Sequence, residues 1–182
     1  MDDLRHLTTE RLRLDIPTAD DVDEMHAIYS DPRVWTHFPS LRHTESARTR
    51  SMLDVWIAAW RDVGLGPWIV RARGDDTVLG HAGCSPRDGW WNLGYRFAAE
   101  AHGQGLATEA SRPALAAAVR VRDVPVVAYL LGHNHASRRV ADKLGLALQH
   151  RGPDSDNPDP AAVRLVYADR PLTPEQRAAT LA

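Results

Sequence analysis

Between positions 102 and 108 the chain reads His102, Gly103, Gln104, Gly105, Leu106, Ala107, Thr108, residue types whose spacing suits the binding of an anion. Gly103 and Gly105 carry no Cβ, so the backbone there can turn sharply and approach a ligand closely. The alanine-rich stretch that follows is strongly helix-prone. A helix start offers free N–H groups and the positive end of the helix dipole, which together favour a phosphate. Two common phosphate loops do not fit. A P-loop needs a lysine after its last glycine, and the only lysine is Lys143. A dinucleotide fingerprint needs a third glycine where Thr108 stands. A tight turn that binds nothing is the plain alternative for two glycines alone.

A second polar group, Asn134, Ser137, Arg138 and Arg139, stands at the head of a short apolar-striped segment. Asn134 and Ser137 are favoured N-cap residues, so helix capping competes with ligand contact as their role. The two arginines could meet phosphates or form a solvated helix face. His133 and His135 have no further ligand at metal spacing, and no metal is expected. The acidic run from Asp154 to Asp159 lacks the glycine and distal glutamate of a calcium loop. A proline-stiffened connection is expected there.

The elements that must hold these groups alternate along the chain. Leu12, Leu14 and Ile16 alternate on a first strand, and Thr18 with Asp21 forms a capping box for a helix through Met25, Ile28 and Tyr29. Thr44 is placed to cap a second helix striped by Met52, Leu53, Trp56, Ile57 and Trp60. Strands are expected near 67–73 and 77–84, then at 90–97, where Trp91, Leu93, Tyr95 and Phe97 alternate. The glycine turn opens a helix to about residue 122, with a kink or early end at Pro113. A buried strand at 124–131, a helix over 135–144 closed by Gly145, and strands near 146–151 and 162–169 complete an α+β domain with a mixed sheet.

At 182 residues the chain fits one domain, 1–182, with a sizeable core. Net charge is −2 with 43% hydrophobic residues, so no basic field for nucleic acid is implied. All but one of the 22 basic residues are arginine. The single Cys84 cannot form an intramolecular disulfide, which makes a reducing cytoplasm the expected location. The first residues carry two acids and no apolar core, unlike a signal peptide, and no run approaches the ~18 apolar residues of a membrane span.

The segment from His102 to Ala107 resembles motif A of the GNAT superfamily of acetyl-CoA-dependent N-acetyltransferases. Thr9 to Leu14 resembles that family's opening strand, Ser30 to Val34 its turn after the first helix, and Asn134 to Leu146 its N-x-x-S-x-x-V…K-x-G-F element, with Leu146 at the last position. The order of these matches is similar to the RimJ/RimL-like branch, which acetylates protein N-termini, small amines or antibiotics. The resemblance implies the GNAT fold, a mostly antiparallel mixed sheet that splays between the strands at 90–97 and 124–131. It implies acetyl-CoA as cosubstrate, with pantetheine along Phe97 and Ala98 and pyrophosphate on residues 103–108. His102, Gly103, Gln104, Gly105, Leu106, Ala107, Thr108, Asn134, Ser137 and Arg138 are then the cofactor contacts. The acceptor is expected to be a small amine or a protein N-terminus, attacking directly in a ternary complex. A homodimer is left open.

Two departures bear on catalysis. Asn92 stands where the resembling enzymes often carry a glutamate base, and an amide cannot take a proton. A water chain to Glu100, Asp88 or His81 is the expected substitute. Ala141 stands where many of the family place a tyrosine, leaving Ser137 to position or protonate the thiol. Neutralising a lysine ε-amine at pH 7 costs about 4.6 kcal/mol against about 1.1 for an α-amine, so a low-pKa amine is the easier substrate. Trp35 and Trp90 are candidates to line an acceptor pocket. A CoA-binding sensor without turnover is the alternative that Asn92 favours, and a dinucleotide-dependent oxidoreductase is a distant third.

Overall fold

The computed structural model describes residues 4–155 and 157–181, so Met1 to Asp3, and with them most of the leader reading, lie outside it, as does Asp156 of the acidic run. One eight-stranded sheet has the order β1 (His6–Thr8), β2 (Leu12–Asp15), β3 (Trp68–Ala72), β4 (Val78–Arg87), β5 (Trp90–Phe97), β6 (Val126–Leu131), β8 (Val163–Ala168), β7 (Ala147–Pro153). Every neighbouring pair is antiparallel except β5 with β6. The α+β class and mixed sheet are those the sequence led us to expect.

Alternation decides which side chains enter which layer. Trp91, Leu93 and Phe97 of β5 point to one face and pack against α3 (Leu106–Val121) through Leu106, Ala110, Ala114, Ala117 and Ala118. Small alanines let this helix lie close to the sheet, near enough for the Cys84 thiol to reach the Ala114 carbonyl at 3.6 Å. Burial pushes that thiol up, away from any reactive range. The opposite face is covered by α1 (Val22–Ser30) and α2 (Ser46–Val63), whose Met25, Ile28, Tyr29, Leu53 and Trp56 meet Ile69 and Val78. Farther along that face, Trp90, Val127, Val166 and Ala168 are closed over by Leu172 and Leu181, which flank α5 (Pro174–Ala179).

Three local expectations are corrected. Pro113 does not end α3, which runs on through it to Val121. The ring removes one N–H, but the alanine face on either side stays fully packed, and tertiary burial outweighs the single lost bond. Thr44 does not cap α2; Glu45 occupies the N-cap, without a side-chain bond. The turn expected at 86–89 is tighter, because β4 pairs as far as Arg87 opposite Trp90. The Thr18–Asp21 box is present, the Asp21 carboxylate accepting from the Thr18 N–H at 2.7 Å and hydroxyl at 2.9 Å. Among the described residues no helix is long and apolar enough to cross a membrane.

Candidate active site

The sheet opens where the chemistry was expected. β5 and β6 pair only at Trp91 with Val126 and Asn92 with Val127. The Trp91 N–H donates toward β6, to the Pro125 carbonyl at 2.8 Å, whereas the Ala98 N–H donates toward β4, to the Leu79 carbonyl. Backbone groups alternate in direction along a strand, so those of Tyr95 and Phe97 face the β6 side beyond the last pair. They form an open strand edge, suited to an extended amide-bearing ligand. The Phe97 carbonyl is shared with His102 Nε2 at 3.0 Å, and Ala98 is less available still, its N–H given to Leu79 and its carbonyl accepting from Ala101 at 2.9 Å.

At the end of this edge lies the glycine turn. Gly103 and Gly105 have φ of 77° and 79°, left-handed values that favour glycine, and Gly105 is the N-cap of α3. The first intrahelical bond is from the Glu109 N–H to the Gly105 carbonyl, so the N–H groups of Leu106, Ala107 and Thr108 have no helical acceptor. A Cβ at Gly103 would meet nothing within 4 Å, which leaves the space above the cradle open. The residues beside the glycines shape the turn: His102 Nε2 lies 3.0 Å from the Phe97 carbonyl, and the Gln104 amide donates to the Glu100 carbonyl at 2.8 Å.

Sequence reasoning missed what anchors this turn. Arg11, beside β2, donates from Nη1 to the Gln104 carbonyl at 3.0 Å and pairs with the Glu109 carboxylate at 2.7 Å. Glu109 also accepts from the Thr9 hydroxyl at 2.5 Å and the Arg11 N–H at 2.8 Å. Burial opposes its charge, but the Thr9 and Arg11 bonds outweigh it and hold the carboxyl below its ordinary range. Arg11→Ala is expected to raise KM for acetyl-CoA roughly five- to tenfold with little change in kcat, about 1–1.4 kcal/mol for a lost charge-assisted support. Initial rates against acetyl-CoA concentration check this, and an unchanged KM would remove Arg11 from the site.

On the far side of the opening stands α4 (His135–Lys143). Asn134 caps it, its Oδ1 accepting from the Ser137 N–H at 3.1 Å. Tyr95 reaches across from β5 and donates its hydroxyl to the Ser137 carbonyl at 3.2 Å. This crossing ties Ser137 to the strand edge, and burial pushes the Tyr95 hydroxyl up to about 12, so it stays protonated. The only sequence signal for it was a polar-tipped aromatic in an alternating run. Arg138 lines a cleft of about 300 Å³ with His133 and Arg151, toward β7 and β8.

The substitute bases do not assemble. His81 is buried under Trp56, with Nε2 2.7 Å from the Tyr29 hydroxyl, and burial and then Arg96 push it down to about 3. Glu100 is exposed and paired with Arg33 at 2.7 Å. Asp88 sits on the β4–β5 turn, at the opposite end of β5 from the glycine turn. Trp35 and Trp90 are both core residues, 4% and 5% exposed. Trp35 was drawn inward because its N–H donates to the Tyr29 carbonyl at 2.6 Å.

Residues 11–147 match the acetyltransferase (GNAT) domain family. The chain belongs to the GNAT acetyltransferases. Uncharacterized protein YkkB of Bacillus subtilis is 29% identical to it over 146 residues, 77% of this chain and 84% of that one. A GNAT-family acetyltransferase from Bordetella pertussis superposes with a TM-score of 0.76 at 20% identity, covering 91% of this chain and 99% of its own. RimL, a ribosomal L7/L12 alpha-N-protein acetyltransferase solved with coenzyme A, gives 0.75 at 16%, covering 91% and 97%. Membership makes this acetyltransferase an acetyl-CoA-dependent acyltransferase. Its splayed strands, glycine turn and open N–H groups fit that cosubstrate: a strand edge for the pantetheine amides and a cradle without Cβ atoms for the pyrophosphate.

Proposed function

We propose that the protein is an N-acetyltransferase of the RimJ/RimL-like branch, working on a primary amine of a small molecule or a protein N-terminus. The observation that carries this is the end of the β5–β6 ladder at Asn92, which leaves an open strand edge leading to the glycine-started helix α3. Residues 103–108 bind the pyrophosphate, and Tyr95 and Phe97 orient the pantetheine arm through their backbone groups. The acetyl group comes from acetyl-CoA. The amine lone pair forms the new C–N bond, the C–S bond breaks, and the proton lost by nitrogen is balanced by one gained at sulfur. In this reading Ser137, at the first turn of α4, supplies that proton. The buried lone thiol Cys84 is consistent with a cytoplasmic location.

Because the helix cap uses the Ser137 backbone and the Asn134 side chain, Ser137→Ala is expected to leave stability within about 0.5 kcal/mol. It should lower kcat roughly tenfold or more while changing KM for acetyl-CoA little. Asn134→Ala should do the reverse, costing about 1 kcal/mol of stability. Thermal melts with kcat and KM for both variants separate the roles, and an unchanged kcat in Ser137→Ala would remove Ser137 from the chemistry.

Asn92 favours one second reading, a CoA-binding sensor without turnover. Release of CoA thiol from acetyl-CoA with a panel of amines decides between them. An enzyme releases thiol in proportion to acetylated amine; a sensor binds CoA and releases none.

A further inference from the structure

One sheet face carries a groove that the packing leaves open. His81 pairs with Arg96, Gly83 with Gly94 and Ser85 with Asn92, so these residues share the face covered elsewhere by α1 and α2. Asn92 also pairs with Val127 of β6, which puts Tyr129 on that face too. Ser85, Asn92, Gly94, Arg96 and Tyr129 are all half-buried in mid-sheet, between the α1–α2 layer on one side and Leu172 and Leu181 on the other. At the open end of β5, His133 of the β6–α4 connection lies 2.9 Å from the His37 carbonyl and bridges the groove's mouth.

The charge in this groove is one-sided. The Arg96 guanidinium stacks on Trp35 at 3.4 Å and lies 5.5 Å from the Tyr29 ring, with Nη1 donating to the Val34 carbonyl at 3.1 Å. Among the described residues it forms no ion pair. The two nearby carboxylates of this end, Asp31 and Glu100, both pair with Arg33, at 2.6 and 2.7 Å. His37, against Trp35, is pushed down to about 4 by burial and then by Arg96, His133 and His102, all cationic or potentially so. It is neutral at pH 7, and Arg96 is the fixed positive charge. Arginine cannot shed its proton in compensation, so its charge is held ready for an anion that the protein itself does not provide.

Resting on the acetyltransferase reading, we infer that the acceptor carries a carboxylate close to its amine, and that Arg96 binds it. The aromatic stack fixes the guanidinium plane, and the N–H groups not taken by the Val34 carbonyl or the Tyr29 hydroxyl remain for a planar two-oxygen partner. A cationic groove with no unpaired carboxylate among its described residues disfavours a lysine ammonium and accepts an amino acid or an acidic peptide end. Pairing serves the chemistry as well. A neighbouring free carboxylate holds the proton on an ammonium; neutralised by Arg96, it no longer does, and the amine loses its proton more readily. Arg96 is therefore a specificity and positioning residue.

Products report the contact without amine titration. N-acetylated amino acids, the matching N-acetylated carboxamides, and N-acetylated peptides with an acidic or a neutral first residue are titrated calorimetrically into the CoA-saturated protein. The carboxylate forms are expected to bind at least tenfold tighter than their amides, and Arg96→Met to abolish the difference with CoA affinity kept. Arg96→Lys should retain part of it. Preference for free amino acids identifies a small acceptor, and preference confined to acidic peptides identifies a protein end; both support the assignment. Equal binding of carboxylate and amide by the wild type overturns it, whether or not any variant folds. Preferential binding without thiol release on any amine would instead sink the acetyl-transfer reading and leave the anion site standing.

Discussion

Gly105→Val is expected to lose CoA affinity by roughly ten- to a hundredfold while the domain stays folded. The residue has φ of 79° at the N-cap of α3, and a left-handed backbone costs an ordinary L-residue about 1–2 kcal/mol, more with a branched Cβ. A Cβ there would lie 3.8 Å from Arg11 Nη2, an ordinary contact, so crowding is not the cause. The backbone would relieve strain by rotating, and rotation at the N-cap re-aims the N–H groups of residues 106–108 away from a shared focus. Affinity for an anion depends on those donors converging. The α3 face that packs on β4 and β5 begins at Leu106 and Ala110 and is unaffected, so the thermal midpoint should fall only a few degrees. Calorimetric titration with CoA reads the loss. Wild-type affinity in the variant would remove the glycine turn from the cofactor site.

What the sequence made legible is what short-range patterns encode. Alternation through Trp91, Leu93, Tyr95 and Phe97 assigned β5 and its buried face, and the 3.6-residue stripe of Leu53, Trp56 and Trp60 assigned α2. Two glycines before an alanine-rich run located the turn because only glycine takes its φ without strain. The unread parts depend on distant partners. Arg11 and Glu109 are 98 residues apart, and nothing near either one marks the bond. Tyr95 meets Ser137 only because α4 folds back over the opening. Arg96 did leave a trace, a charged residue on the second face of a central strand, but its missing counter-ion is visible only when every nearby carboxylate has been placed. Trp35 shows the opposite failure. A tryptophan in a polar turn looked available for ligand, and one hydrogen bond to the Tyr29 carbonyl buried it.

For the acceptor amine the decisive quantity is the cost of its neutral form. None of the side chains first considered as a base, nor His37 beside Arg96, is suited to take a proton near pH 7. Asn92 is an amide, His81 and His37 are pushed down to about 3 and about 4, and Glu100 is exposed and drawn to Arg33. Both histidines have finished losing their protons by about pH 5, so neither can produce an activity limb at higher pH. kcat/KM is therefore expected to rise tenfold per pH unit with the free-amine fraction of the substrate, levelling near the amine's own pKa. A peptide α-amine near pKa ~7.8 should level by about pH 8, whereas a lysine-type amine near ~10.4 should still be rising at pH 9. At pH 7 the neutralisation difference is about 3.5 kcal/mol, a preference of several hundredfold for the α-amine if binding is equal. Asn92→Glu should leave α-amine rates within a small factor and raise those of the lysine-type amine, because a carboxylate at the groove floor would supply the missing acceptor and offset the Arg96 charge. The measurement is kcat/KM from pH 6 to 9 on one peptide offered with only its α-amine free and again with only a lysine free. A plateau already present at pH 6 on both would mean that the enzyme itself removes the proton, and the base would then have to be sought among the histidines at the groove mouth, His133 first.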